Sequence, residues 1–296
     1  MKIQKILFST KFKELNEDSL RSLFVLKKTG LKQIILLFVI PIDEVGFVPY
    51  GGFLKDEEKK LRKIAEDTLN KWKEIIIENG IDCKILIEIG NLVQKTILVA
   101  EDEKVDIIAV GKRKRSLLGK FNFISQNLVD LVRCSKKPVL VSKFVSKYEY
   151  KGEFITRLNN SVFSNPLIAT DWSEPASKSL KILSANSAVI DKAYICHVVE
   201  DKLIKDRSND EITRIKNESI KRLNEYSDIL RKNNIRSETI LLFGKANKEI
   251  INISREKNAS MIMIGTTGKD LFEEMLVGSV SYRIMESSEL PILMIS

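Results

Sequence analysis

Two stretches decide the fold: VDIIAVGKRKR at residues 105–115 and SMIMIGTTGKD at residues 260–270. Each runs a short apolar segment into a glycine and then a polar loop, as a buried strand does where it leaves a sheet. A second pair follows each at nearly the same distance, KKPVLVS at 136–142 and ELPILMIS at 289–296. Gly111 and Gly265 lie 154 residues apart, and Pro138 and Pro291 lie 153 apart. KILFST at 5–10 likewise stands beside PLIATD at 166–171. Self-similarity at so regular an offset predicts two copies of one domain within the 296 residues.

Within the second copy, strands are expected at 167–170, 189–199, 235–243, 261–264 and 292–295. Helices are expected from Pro175 to about 187 and at 211–233, 247–257 and 280–287. Pro175 suits a first helical turn, where its missing N–H costs nothing. Ile212, Ile215, Ile220, Leu223, Tyr226 and Leu230 recur near helical spacing. The first copy repeats the order, with strands near 3–8, 33–40, 83–89, 106–110 and 139–141. Strands separated by helices predict α/β domains, each a five-stranded mainly parallel sheet flanked by helices. The expected boundaries are a first domain at 1–143, a connector at 144–165 and a second domain at 166–296. The connector lacks clear periodicity and has room for a short extra element.

Composition narrows the classes. Hydrophobic residues make up 44% and charged residues 30%, the balance of a water-soluble globular protein. The longest clean apolar run, 34–40, stops at Pro41 and is far short of the ~20 residues a membrane helix needs. The opening MKIQKILFST has neither an apolar core region nor a small-residue cleavage site, so a cytoplasmic protein is expected and no membrane partner. Cys83, Cys134 and Cys196 are scattered, and a single His197 offers no zinc-type ligand set, so no metal site is expected. The net charge of +9 is uneven: residues 1–150 hold 28 Lys and Arg against 20 Asp and Glu, the remainder 21 against 20. A basic half raises a polyanion hypothesis, centred on Lys112-Arg113-Lys114-Arg115. No aromatic residues interleave those four, so they form no stacking platform for single strands, and nucleic acid is not the expected partner.

In open α/β sheets, ligands sit beyond the carboxyl ends of the strands. There the second copy places Gly265-Thr266-Thr267-Gly268-Lys269 and, nine residues after Gly268, Gly278-Ser279 opening a helix. Glycines at 265 and 268 would let backbone amides approach an anion closely. Gly278 and Ser279 would add amides, a hydroxyl and the positive end of a helix dipole. Chemistry alone leaves a second reading open, with turn glycines and Ser279 as an ordinary N-cap. Neither GxxxxGK[ST] nor GxGxxG occurs.

The pattern G-x2-G-x9-G-S, with Ser281 following, resembles the nucleotide motif of the universal stress protein family. Asp171 and Ser173 after the first strand, HVVE at 197–200 and the Gly244-Lys245 turn extend the resemblance. It covers both copies, in a tandem arrangement. The resemblance implies Rossmann-like domains of the adenine nucleotide alpha hydrolase-like kind, binding ATP or AMP, with Mg²⁺ accompanying ATP. It would place Gly265, Gly268, Gly278, Ser279, Val280 and Ser281 on the phosphates, with Lys269 adding charge. Asp171 would lie by the ribose, and backbone near Val198 and Val199 would meet the adenine. Ser260 departs from the family's usual Asp, which Asp106 keeps in the first copy; the expected effect is on strand-end hydrogen bonds.

The first copy departs more. Its first strand ends in Ser9-Thr10-Lys11 with no acid, Lys114 replaces the second glycine, and Ser125-Gln126 replaces Gly-Ser. Each change adds a side chain where an anion needs bare backbone, so one live site per chain is expected. The function this favours is an adenine-nucleotide-binding stress or signalling protein. A slow ATPase or phosphotransferase using Asp171 is the enzymatic alternative, and polyanion binding through the first domain the third. PVLV and PILMI begin at prolines and would lie at sheet edges. The resemblance implies that the two domains pair through them, with a dimer of chains as a further step.

Overall fold

The computed structural model describes residues 1–11, 17–42, 47–48, 52–53, 55–111, 125–266 and 277–296. The first half runs β1 (Lys5–Ser9), α1 (Glu17–Arg21), β2 (Gln33–Ile40) and the short pair β3 (Phe47–Val48) and β4 (Gly52–Phe53). It continues with α2 (Lys55–Glu78), β5 (Asp82–Ile89), α3 (Leu92–Asp102), β6 (Ile107–Gly111), α4 (Gln126–Cys134) and β7 (Val139–Ser142). A hairpin of β8 (Val145–Tyr150) and β9 (Glu153–Leu158) follows. The second half comprises β10 (Pro166–Ala169), α5 (Glu174–Ala185), β11 (Ala193–Val199), α6 (Asp201–Ile204) and α7 (Asn209–Lys232). It ends with β12 (Ser237–Phe243), α8 (Ala246–Glu256), β13 (Met261–Gly265), α9 (Ser279–Ser287) and β14 (Ile292–Ile295).

Ten of these strands form one sheet in the order β12-β11-β10-β13-β14-β7-β6-β1-β2-β5. Within each half every pairing is parallel, and in both halves the spatial order is third, second, first, fourth, fifth strand. Both halves are Rossmann-like α/β units. Strands such as QIILLFVI in β2 are almost unbroken apolar runs because helices cover both faces. On one face α2, α5 and α7 bury Leu69, Trp72, Leu180, Leu183, Leu223 and Leu230. On the other, α3, α4, α8 and α9 bury Val99, Leu128, Leu131, Ile250 and Ile284.

The halves meet at β7 and β14, which pair antiparallel with Leu140 opposite Leu293, Val141 opposite Ile292 and Val139 opposite Met294. Leu140 and Leu293 are also equivalent by the 153-residue repeat. Leu140 therefore faces its own counterpart, while Val141 faces the counterpart of Val139 and Val139 that of Val141, as a two-fold interface requires. Both apolar layers cross this junction: Leu140 and Leu293 belong to one, Val139, Val141, Ile292 and Met294 to the other. Because the junction is antiparallel, the strand carboxyl ends of the two halves point in opposite directions.

One expectation needs revising, and the connector's short extra element takes a definite form. The strand expected from 189 begins at Ala193; residues 187–189 form a 3₁₀ turn, and the Asp191 amide donates to the Ser164 carbonyl (2.8 Å). Residues 145–158, within the expected connector, form the β8–β9 hairpin, turned by Lys151 (φ 53°) and Gly152 (φ 83°). Two successive positive φ values are what a tight hairpin turn demands. Its tyrosines dock on the second half: the Arg255 guanidinium lies 5.2 Å from the Tyr148 ring centroid and 5.7 Å from that of Tyr150. Arg255 also donates to both oxygens of Glu289, at 2.7 and 3.0 Å.

Candidate functional site

In the second half the strand order reverses between β10 and β13, and a crevice opens beyond their carboxyl ends, where such sheets bind ligands. A cleft of about 1360 Å³ occupies this position. Of the expected site residues, Asp171, Val198, Gly265, Gly278, Ser279, Val280 and Ser281 line it. Gly268 and Lys269 lie outside the described residues, as do Lys112-Arg113-Lys114-Arg115.

One end is shaped by a strand that stops early. The Thr170 amide donates to the Cys196 carbonyl (2.9 Å), the last rung between β10 and β11. Strand alternation turns the Val198 amide and carbonyl to that same edge, one step beyond where β10 turns away. Val198 thus offers a backbone donor and acceptor to the cleft. Val199 does not, contrary to expectation. Its carbonyl faces β12 and accepts the Gly244 amide (3.1 Å), and its side chain is buried. Gly244 sits at φ 134°, which explains a glycine at that turn.

After Thr170 the chain makes a tight turn. The Thr170 hydroxyl accepts the Trp172 amide (3.0 Å), and an Asp171 carboxylate oxygen accepts the Ser173 amide (3.1 Å). Trp172 is held at φ 69°. Its ring lies 4.5 Å from that of His197 and meets Tyr226 edge-on at 5.5 Å, and the Arg222 guanidinium sits 5.7 Å from it. His197 Nδ1 bonds the Thr170 carbonyl (2.8 Å), which can only accept, so the proton is on Nδ1. His197 thus packs against Trp172 at the strand end and, half-buried, also lines the cleft. Sequence reasoning passed over Trp172 and Arg222, both of which line the cleft. The available signal was a bulky aromatic inside a strand-ending turn.

The other end is the start of α9. Gly278 is its N-cap at φ −57°, ψ 144°, and no side chain caps the helix. First-turn amides at 279–281 lack partners within the helix and present the positive end of its dipole. The Gly278 amide itself is not available, contrary to expectation, because it donates to the Thr266 carbonyl (2.8 Å). Ser281 is tied down too: its hydroxyl donates to the Gly265 carbonyl (2.6 Å), joining β13 to α9. Gly278 has a backbone conformation open to any residue, so what it supplies is the absence of a side chain.

The equivalent place in the first half differs in kind. Ser125 caps α4 from nearly the same backbone conformation (φ −68°, ψ 142°), and its hydroxyl accepts the Leu128 amide (3.3 Å). One helix start is closed by its own serine; the other is left open. Lys11 follows Thr10 where Asp171 follows Thr170, the Thr10 amide bonding Leu37 as Thr170 bonds Cys196. At the opposite strand ends, one Asp106 oxygen accepts the Gln4 and Lys5 amides (2.7 and 2.8 Å). Ser260 accepts the Asn165 amide and donates to Val162 instead. That departure lies away from the cleft.

Among the described residues, no group of three or more His, Cys, Asp or Glu is arranged to hold a metal ion, and no helix is long and apolar enough to cross a membrane. Burial pushes the thiols of Cys83 and Cys196 up to about 12, with Lys73 opposing it weakly at Cys83.

The Rossmann-like α/β unit is present twice, and the second copy carries this crevice. Residues 2–143 and 164–296 each match the universal stress protein family, and the chain belongs to it as a tandem member. Universal stress protein MJ0577 of Methanocaldococcus jannaschii is 29% identical over 154 residues, 47% of this chain and 94% of that protein. Universal stress protein YxiE of Bacillus subtilis is 27% identical over 147 residues, covering 45% and 99%. A solved universal stress protein from Archaeoglobus fulgidus shares the fold along its length: TM-score 0.70 over 99% of this chain and 98% of its own, at 21% identity.

Proposed function

We propose that this protein is an adenine-nucleotide-binding stress or signalling module, with one live site for ATP or AMP in a second domain at 166–296. The observation carrying this is the pairing, within one cleft, of the free Val198 backbone edge with the uncapped start of α9. Val198 offers the donor and acceptor that an adenine edge matches. Amides of Ser279, Val280 and Ser281 suit phosphate oxygens. Asp171, at the turn between them, suits the ribose. Gly265 closes β13 beneath the phosphates, and Gly268 and Lys269 complete the motif by family membership. Mg²⁺ would arrive with ATP, held by its phosphates. Ser125 and Lys11 make the domain at 1–143 a partner rather than a second site. The two domains pair through β7 and β14, a reading supported by the self-complementary register of that junction. A dimer of such chains and a cytoplasmic setting belong to the same proposal.

Calorimetric titration of ATP and AMP, with Mg²⁺, into wild type and Gly278→Val tests it. One nucleotide per chain, lost in the variant, is expected. Two per chain would restore the first domain as a site, and none at millimolar nucleotide would reduce the glycine motif to a structural turn.

A further inference from the structure

Trp172 has no part in the site as proposed so far, yet its conformation sets it apart. Among the described residues other than glycine, positive φ occurs at Lys104, Lys151, Trp172, Asn234 and Asn258. The other four are lysines or asparagines in turns that follow helices or tip the hairpin. Only Trp172 combines this backbone with a large aromatic ring, and only Trp172 of the five lines the cleft. Two local hydrogen bonds, Thr170 Oγ1 to the Trp172 amide and Asp171 Oδ1 to the Ser173 amide, hold the turn.

The ring is also braced from behind. His197 is fixed by its bond to Thr170, Tyr226 meets the indole edge-on, and Tyr226 is itself tied to the Ser177 hydroxyl (2.9 Å). Arg222, paired with Glu218 at 2.9 Å, lies 5.7 Å from the ring centroid and lines the cleft beside it. Half-buried and held by these neighbours, Trp172 still lines the cleft. It stands at the turn leaving β10, next to the Val198 edge that β10 leaves unpaired.

We infer that Trp172 is the base-contacting wall of this site: a planar base hydrogen-bonded at Val198 packs against the indole. The inference rests on the nucleotide reading above and deepens it. A contact of this kind touches the base and not the phosphates, so it strengthens binding of the base and adds nothing to binding of the phosphates.

The test compares ATP with inorganic tripolyphosphate, titrated into wild type, Trp172→Ala, Trp172→Phe and Gly278→Val. Circular dichroism first verifies that each variant is folded. For ATP, Trp172→Ala should raise Kd about tenfold or more, while Trp172→Phe should stay near wild type. Tripolyphosphate binding should be equal in wild type and Trp172→Ala. Trp172 emission should also change on ATP addition, and this signal should vanish in Trp172→Phe while Trp72, buried in the first half, remains. Should Trp172→Ala bind ATP like wild type while Gly278→Val does not, the wall is wrong and the site stands. Equal loss of ATP and tripolyphosphate in Trp172→Ala would mark a structural role and overturn the inference. No ATP binding by wild type at millimolar concentration would overturn both readings together.

Discussion

Gly278 and Ser125 occupy the same place in two copies of one fold and treat it oppositely. A serine there satisfies a first-turn amide from its own hydroxyl; a glycine leaves that amide to a ligand. Because the two backbones differ by only about ten degrees in φ, the exchange can be made experimentally. Gly278→Ser should stabilise α9 by about a few tenths of a kcal/mol, seen as a small rise in Tm, and should weaken nucleotide binding. A variant that binds as wild type would show that the serine hydroxyl does not compete. Thiols give a second prediction at this scale. Cys134 is exposed, whereas Cys83 and Cys196 are held protonated by burial up to about 12. Alkylation of the folded protein at pH 8 should therefore modify one cysteine quickly, with two more appearing on denaturation, as read by mass spectrometry. At this scale seven of the expected residues, Gly265 and Gly278 among them, line the cleft, whereas Trp172 and Arg222 were not legible because no spacing marks them. The sequence did not disclose which hydrogen bonds were already taken. The Gly278 amide and the Val199 carbonyl are occupied by partners that only the folded chain brings near.

Among elements, the long apolar strands were legible because burial on both faces leaves no ambiguity. The β8–β9 hairpin was not, because its inward face carries Ser146, Tyr148 and Tyr150 rather than aliphatic residues. It is held by a polar clamp: Glu289 has a side chain only 4% exposed and depends on Arg255, itself 19% exposed. Arg255→Met would strand that carboxylate and release both tyrosines. A loss of about 2–4 kcal/mol in denaturant unfolding is expected, with the double variant Arg255→Met/Glu289→Leu recovering much of it. An unchanged midpoint in the single variant would mean the carboxylate finds water instead. The α7 start shows a smaller miss: the capping box of Ser208 and Glu211 starts the helix at Asn209, two residues before its expected 211. Its polar first turn has no apolar periodicity to read.

For the whole molecule, the β7–β14 junction governs behaviour. Its strands are fully buried, and both apolar layers run through it. A second domain cut at 160–296 would expose β14 along its length. Since Leu140 is the repeat counterpart of Leu293, a second copy of that fragment can take the vacated place in the same register. The fragment should therefore be a dimer by light scattering, and Leu293→Asp should make it monomeric or insoluble. A stable soluble monomer from the unaltered fragment would contradict the pairing.

Joining the two partners in one chain has a consequence for how the proposed nucleotide site would respond. A pair of separate subunits comes apart on dilution, and each must carry the same sequence. Tethered partners hold each other at millimolar effective concentration however few molecules a cell makes. Each is also free to change without changing the other. For the single site proposed above, occupancy should rise along a simple hyperbola in nucleotide, with no dependence on protein amount. Such a site would answer nucleotide concentration gradually rather than as a switch.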